Sequence, residues 1–223
     1  RCHLPESIAA HQEAQAFVDA LQPLPHREYS IASIPTDGYL ELLVRLMHRE
    51  DGRPGIGSGW LCDGAAIGST IDLRIRSNPN FHPPRPETPL ILIGNGTGLA
   101  GLRAHLKQRI AHAAHRNWLL FGERNAAHDA YFEDELSAWL SAGQLAHLDR
   151  VYSRDGGDHR YVQDVLHHHA ARLQAWMEDG AAVYVCGSLQ GMAPGVDAAL
   201  TAVLGADRLA SLLQEGRYRL DVY

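Results

Sequence analysis

Leu90-Ile91-Leu92-Ile93 is an apolar run that breaks directly into Gly94-Asn95-Gly96-Thr97-Gly98-Leu99-Ala100-Gly101, after which Leu99, Leu102, Leu106 and Ile110 recur at helical spacing. Few arrangements accommodate that order. A short, wholly apolar strand is one buried on both faces. The glycines let the chain turn tightly, and the helix that follows presents unpaired N–H groups to the turn. Backbone donors and positive dipole potential then converge on one point, which suits an anion and above all a phosphate. Read from Gly96, the run also satisfies Gly-x-Gly-x-x-Gly. On these residues alone, a glycine-rich structural turn remains the alternative.

The same alternation continues downstream. Trp118-Leu119-Leu120-Phe121 reads as a second apolar strand, Ala130 to Leu140 as a helix, His147 to Tyr152 as a strand and Val162 to Met177 as a helix. Ala182 to Cys186 reads as a further strand, with helices to the end. Strands alternating with helices predict a doubly wound parallel sheet. Upstream the pattern differs. Ser7 to Leu21 has a helical period stopped by Pro23 and Pro25, and Tyr29–Ser33, Tyr39–Met47 and Thr70–Arg76 read as short antiparallel strands. Asp37-Gly38 and Asp51-Gly52 mark turns. The proline-rich stretch from Asn78 to Pro89 predicts a boundary, with one domain over residues 1–85 and another over 86–223.

Composition narrows the partners. With 45% hydrophobic and 21% charged residues, 223 residues can bury a core without staples. A net charge of −6 and no Lys/Arg run argue against nucleic acid. Three scattered cysteines, Cys2, Cys62 and Cys186, fit a reducing compartment, and no apolar stretch is long enough to span a bilayer. The expected location is cytoplasmic, or the cytoplasmic face of a membrane if an upstream segment supplies an anchor. The chain starts Arg1-Cys2-His3, so it reads as an excised piece. Of fourteen histidines, His167-His168-His169 are consecutive on a helix and point in different directions, so no metal site is expected.

Which dinucleotide would the glycine loop hold? An acidic residue after the second strand favours unphosphorylated ribose, whereas cations favour a 2′-phosphate. Gly122-Glu123-Arg124 is ambiguous, but the next strand ends in Ser153-Arg154, with His159 and Arg160 close behind. Arginine forks and a hydroxyl suit a phosphate, which points to NADPH.

Six segments then fall in order: Arg27-Glu28-Tyr29-Ser30, Gly55-Ile56-Gly57-Ser58-Gly59-Trp60-Leu61, the glycine loop, Ser153-Arg154 with Tyr161 and Gln163, Val185-Cys186-Gly187-Ser188, and Arg217 to Tyr223. Together they resemble the ferredoxin–NADP reductase superfamily, specifically its diflavin branch, over about Phe17 to Tyr223. The resemblance implies that residues 1–85 are part of an antiparallel β-barrel binding FAD, and that 86–223 bind NADPH. It places Arg27 at the FAD pyrophosphate, Tyr29 on the isoalloxazine, Ser30 near its reactive edge, and Gly55, Ile56, Gly57 and Ser58 around the pyrophosphate. Gly96, Thr97 and Gly98 would hold the nicotinamide nucleotide, and Arg124, Ser153, Arg154, His159, Tyr161 and Gln163 the adenosine 2′-phosphate and adenine. Cys186, Gly187, Asp221 and Tyr223 would frame the nicotinamide, with Tyr223 covering the flavin until nicotinamide displaces it.

The implied activity is hydride transfer from NADPH to FAD, with electrons passing on to a flavodoxin-like FMN domain or another one-electron carrier. The FMN itself is expected on an upstream or partner domain. The alternative is an NADP(H)-binding module without redox turnover, if the early barrel strands are missing. A dehydrogenase acting directly on a small substrate leaves Arg27 to Ser30 unexplained. Three departures stand out. Asn95 and Gly101 occupy usual proline positions, which predicts a less rigid loop. Ser188 replaces an acidic residue. His159 replaces a lysine at the 2′-phosphate, which weakens the anchor or makes it pH-dependent.

Overall fold

The computed structural model describes residues 2–3, 14–23 and 26–223. Its centre is a five-stranded sheet of β1 (Leu90–Asn95), β2 (Asn117–Glu123), β3 (His147–Tyr152), β4 (Ala182–Gly187) and β5 (Tyr218–Val222). The order is β3-β2-β1-β4-β5 and every pairing is parallel. Helices α1 (Leu99–Ala111), α2 (Glu133–Ser141), α3 (Val162–His168), α4 (Ala170–Glu178), α5 (Met192–Leu204) and α6 (Ala206–Gln214) flank it.

The apolar runs of β1, β2 and β4 are buried from end to end because each strand feeds two cores. Ile91, Ile93, Trp118, Leu120, Val183 and Val185 meet α3 to α6 on one face. Leu90, Leu92, Leu119, Phe121, Ala182 and Tyr184 meet α1 and α2 on the other. Each such side chain contributes about 1.5–3 kcal/mol on burial. The doubly wound α/β expectation holds. Chain direction in the strand order reverses between β1 and β4, and the crevice at that switch point is where such sheets bind ligands.

Several local expectations change. The C-terminal segment read as helical is the edge strand β5, too short after the Gly216 turn to declare itself by period. The single helix expected over Val162–Met177 breaks at His169, whose ring is drawn to Asp149 Oδ1 at 3.4 Å. Of the helix expected over Ser7–Leu21, Ala14–Ala20 is seen and residues 7–13 lie outside the described residues. The upstream strands reduce to two antiparallel bridges, Ile31 with Leu42 and His48 with Pro54. Thr70–Arg76 is exposed and forms no ladder, because no strand lies beside it among the described residues. Among the described residues no helix is long and apolar enough to cross a membrane.

The Pro79–Phe81 turn and the loop to β1 are sewn to the sheet domain. Phe81 packs between His105 and Tyr184, and the buried Arg109 guanidinium donates to the Thr88 carbonyl at 2.8 Å and the Arg85 carbonyl at 3.3 Å. His105 is driven down to about 4 by burial, so it sits here as a neutral ring.

Candidate active site

Two glycines shape the loop after β1 for different reasons. Gly96 has φ 59°, a left-handed turn that a side chain resists. Gly98 is needed for close approach: a β-carbon there would lie 2.6 Å from the Cys186 carbonyl carbon, 2.8 Å from the Gly187 nitrogen and closer still to the Cys186 carbonyl oxygen. The start of α1 is therefore pressed against the end of β4. Where the resemblance expects a proline, Asn95 supplies a hydrogen bond instead. Asn95 Oδ1 accepts the Ser188 N–H at 2.9 Å, so the end of β1 is tied to the turn after β4.

Strand register puts Gly94, Cys186 and Asp221 in one row. Asp221 Oδ2 lies 3.8 Å from Cys186 Sγ, and its Oδ1 accepts from Asn78 Nδ2 at 3.2 Å. Ser30 joins this row from the other half of the chain, its side chain set against Gly101 beside the Cys186 sulfur. A β-carbon on Gly101 would be 3.6 Å from Ser30 Cβ and 3.7 Å from Cys186 Sγ, so only a small residue lets the three meet. Burial, then the Asp221 carboxylate, pushes the Cys186 thiol far up; Ser30 opposes them weakly. Cys186 is thus a neutral, polarisable wall of the crevice and not a nucleophile. Tyr223 is fastened by its backbone, donating to the Gly187 carbonyl and accepting from Leu189 N–H, both at 3.0 Å. Its hydroxyl meets Thr97 Oγ1 at 3.0 Å and the residue as a whole is 59% exposed, so a swing of the ring would break a single side-chain hydrogen bond.

The upstream motifs come together as well. A β-carbon on Gly57 would sit 3.0 Å from Arg27 Cγ and 3.1 Å from the Tyr29 hydroxyl, so a cation and an aromatic ring pack on the Gly55–Ser58 turn. Ile56 is at the surface of that turn. Ser58 is buried, its Oγ accepting the Met47 N–H at 3.0 Å while its own proton remains to be donated. These groups have the donor chemistry a pyrophosphate requires.

At the far side of the crevice the ambiguity of Glu123-Arg124 resolves. Glu123 is buried, paired with Arg45, and its Oε2 accepts the Arg124 N–H at 2.9 Å. Its carboxylate is spent inside the protein, and Arg124 is the exposed charge. Arg154 lies beside it, its N–H donating to the Arg124 carbonyl at 2.9 Å, with Ser153 one residue back. Tyr161 is half exposed at the head of α3, and Gln163 packs on Gly195 of α5. The His159 ring packs elsewhere, tilted 4.6 Å from that of His168, the last residue of α3. Among the described residues no three His, Cys, Asp or Glu side chains are grouped to hold a metal.

Sequence reasoning passed over Arg103, Asn78 and Asn95's bonding role. Arg103 leaves a weak trace, a lone cation at a position that the helical period of α1 turns inward. Asn78 leaves none, because its partner lies at the opposite end of the chain.

Known proteins similar to this chain are NADPH-dependent flavoproteins by name. The family described as oxidoreductase NAD-binding domain matches residues 92–198. Over 227 residues the chain is 36% identical to a sulfite reductase [NADPH] flavoprotein alpha-component of Mannheimia succiniciproducens, covering 94% of this chain and 38% of that protein. A protein of the same name from Salmonella typhi is 38% identical over 231 residues, 96% of this chain and 39% of the relative. One from Yersinia enterocolitica is 38% identical over 227 residues, 94% of this chain and 38% of the relative. The chain therefore spans less than two fifths of the length of these relatives.

Proposed function

Because this chain belongs to the diflavin branch of the ferredoxin–NADP reductase superfamily, we propose that it is the FAD- and NADPH-binding end of a reductase, in which a hydride passes from nicotinamide to flavin. Residues 1–85 belong to the FAD-binding part and 86–223 form the NADPH-binding domain. Electrons leave singly to a flavodoxin-like FMN domain or another carrier. The observation that carries the reading is that Ser30, from the flavin motif, and Cys186 both pack on Gly101 while Cys186 meets Asp221, at the switch point of the sheet.

The chain's own residues divide the work. Arg27, Tyr29 and the Gly55–Ser58 turn hold FAD, which when bound supplies the hydride acceptor. Gly96, Thr97 and Gly98 seat the dinucleotide pyrophosphate at the start of α1. Ser30 hydrogen-bonds at the reacting edge, and Asp221 offers negative charge where positive charge develops on nicotinamide. Cys186 and Gly187 fix the distance between the rings, the quantity on which such a transfer chiefly depends.

The test is anaerobic titration of the purified full-length protein with NADPH, read at the flavin absorbance. A yellow protein bleached by NADPH is expected; a colourless one, or one that NADPH leaves yellow, overturns the reading. Tyr223→Ala removes the ring that competes with nicotinamide, whose stacking is worth about 0.5–1.5 kcal/mol. It is expected to bind NADP+ roughly 3–10-fold more tightly and to slow steady-state turnover through product release. Unchanged affinity and turnover would count against a terminal gate.

A further inference from the structure

We propose that Arg160, and not His159, is the third cation of the 2′-phosphate pocket and sets the preference for NADPH over NADH; this rests on the reading of the site given above. The loops after β2 and β3 form one unit. Ser153 N–H donates to the Glu123 carbonyl at 2.8 Å and Arg154 N–H to the Arg124 carbonyl at 2.9 Å. Asp155 closes the joint, accepting from Ala126 N–H at 2.6 Å and from Asn125 Nδ2 at 2.9 Å. Arg124 and Arg154 are thereby held side by side, and among the described residues neither guanidinium has an anionic partner.

Arg160 returns to this same point from the end of the loop. Its Nε and Nη2 donate to the Ser153 carbonyl at 3.3 and 3.1 Å, and its guanidinium carbon lies 5.9 Å from the Tyr161 ring centre. Its backbone N–H is fixed by Asp164 Oδ2 at 3.0 Å. One edge of the fork is thus anchored beside Ser153-Arg154, while Nη1 remains to donate. A guanidinium is permanently charged and matches phosphate oxygens in pairs, so three forks around one hydroxyl suit a phosphate monoester.

His159 leads elsewhere. In a parallel α/β unit α3 runs away from the strand ends, and His168 closes its far turn. His159 lies tilted against His168, His168 meets His169 edge-on with ring centres 4.6 Å apart, and His169 Nε2 meets Asp149, itself 3.5 Å from Arg172. The imidazole at the position where the resemblance expects a lysine therefore belongs to a row of rings along the helix. A neighbouring residue takes over the charge.

The experiment uses the full-length flavoprotein and calorimetric binding of 2′,5′-ADP and 5′-AMP at pH 7.5. Arg160→Ala should weaken 2′,5′-ADP at least tenfold and change 5′-AMP less than twofold. Arg160→Lys, which keeps charge without the fork, should recover part of the loss. His159→Ala should leave both within twofold. Below about pH 6 the 2′-phosphate takes up a proton, so the wild type and His159→Ala should weaken together, and curves that diverge would count against the assignment. A neutral Arg160→Ala with a tenfold loss in His159→Ala overturns the assignment. If the wild type binds 2′,5′-ADP no better than 5′-AMP, the NADPH reading itself fails, whatever the variants do.

Discussion

Gly98→Ala is expected to slow NADPH-driven flavin reduction by roughly 100-fold, because a displacement of about 1 Å between reacting rings costs that much. The methyl group would fall among three backbone atoms, the Cys186 carbonyl oxygen and carbon and the Gly187 nitrogen, none of which can rotate away as a side chain would. Either the start of α1 lifts from the sheet or the Cys186-Gly187 turn moves outward. Both choices disturb Asn95 Oδ1 on Ser188 and the backbone of Tyr223 on Gly187, since all hang on the same turn. Overpacking of this kind costs about 1–3 kcal/mol, and 1 kcal/mol lowers Tm by roughly 2–4 °C at this size. The variant should fold, keep its FAD and melt several degrees lower. Stopped-flow absorbance with NADPH, beside a melting curve, reads both effects. A rate within threefold of wild type would show that the helix and strand are not in the tight contact described.

Why Gly98 was legible in the sequence and the choice between His159 and Arg160 was not follows from the range of the forces involved. An apolar strand, a glycine turn and a helix period are local, so β1, the loop and α1 announce themselves within a score of residues. β2 and β4 do so too, because burial on both faces removes polar residues from the run. Thr70–Arg76 alternates as cleanly as any strand, yet alternation states only that one face is apolar and supplies no neighbour to bond. Edge strand β5 is recognisable by its motif and not by its pattern. His159 and Arg160 are adjacent, and the direction in which each side chain leaves the loop is decided by α3 and Ser153. Motif position alone selects His159, where the geometry argued above favours Arg160. Glu123 illustrates the same limit, since Arg45, which neutralises it, arrives from the upstream half.

Arg103→Leu should have the largest effect on stability, lowering Tm by roughly 4–12 °C, together with a fall in the hydride-transfer rate at unchanged NADP+ affinity. Arg103 lies on α1 but is buried at the seam with residues 30–41. Its Nη1 donates to the Ala32 carbonyl at 2.8 Å and to Glu41 Oε2 at 2.6 Å, its Nε and Nη2 grip Glu135, and its guanidinium covers the Phe132 ring at 4.1 Å. Burial opposes the charge, and the bonds to Glu135 and Glu41 outweigh it, holding the guanidinium above its ordinary range. Removing the cation strands two carboxylates and a carbonyl. Because the Glu41 and Glu135 side chains are 32% and 29% exposed, water relieves part of that cost. The loss should therefore be about 2–3 kcal/mol and not the 3–5 of a fully buried pair. Glu135→Gln in the Arg103→Leu background should restore some of the stability, as a double-mutant cycle would show. The consequence for catalysis follows from spacing: Ala32 is two residues after Ser30, and Arg103 two after Gly101, which faces Ser30 and Cys186. Lys107 on Asp37, at 2.6 Å one turn further along α1, keeps the seam from opening entirely. With the bolt gone and that second tie in place, the flavin motif should drift against the sheet while the glycine loop stays intact. Single-turnover rates should drop as NADP+ binding holds. Equal losses in both, or a Tm change under 2 °C, would mean that Arg103 does not set the register between the two halves.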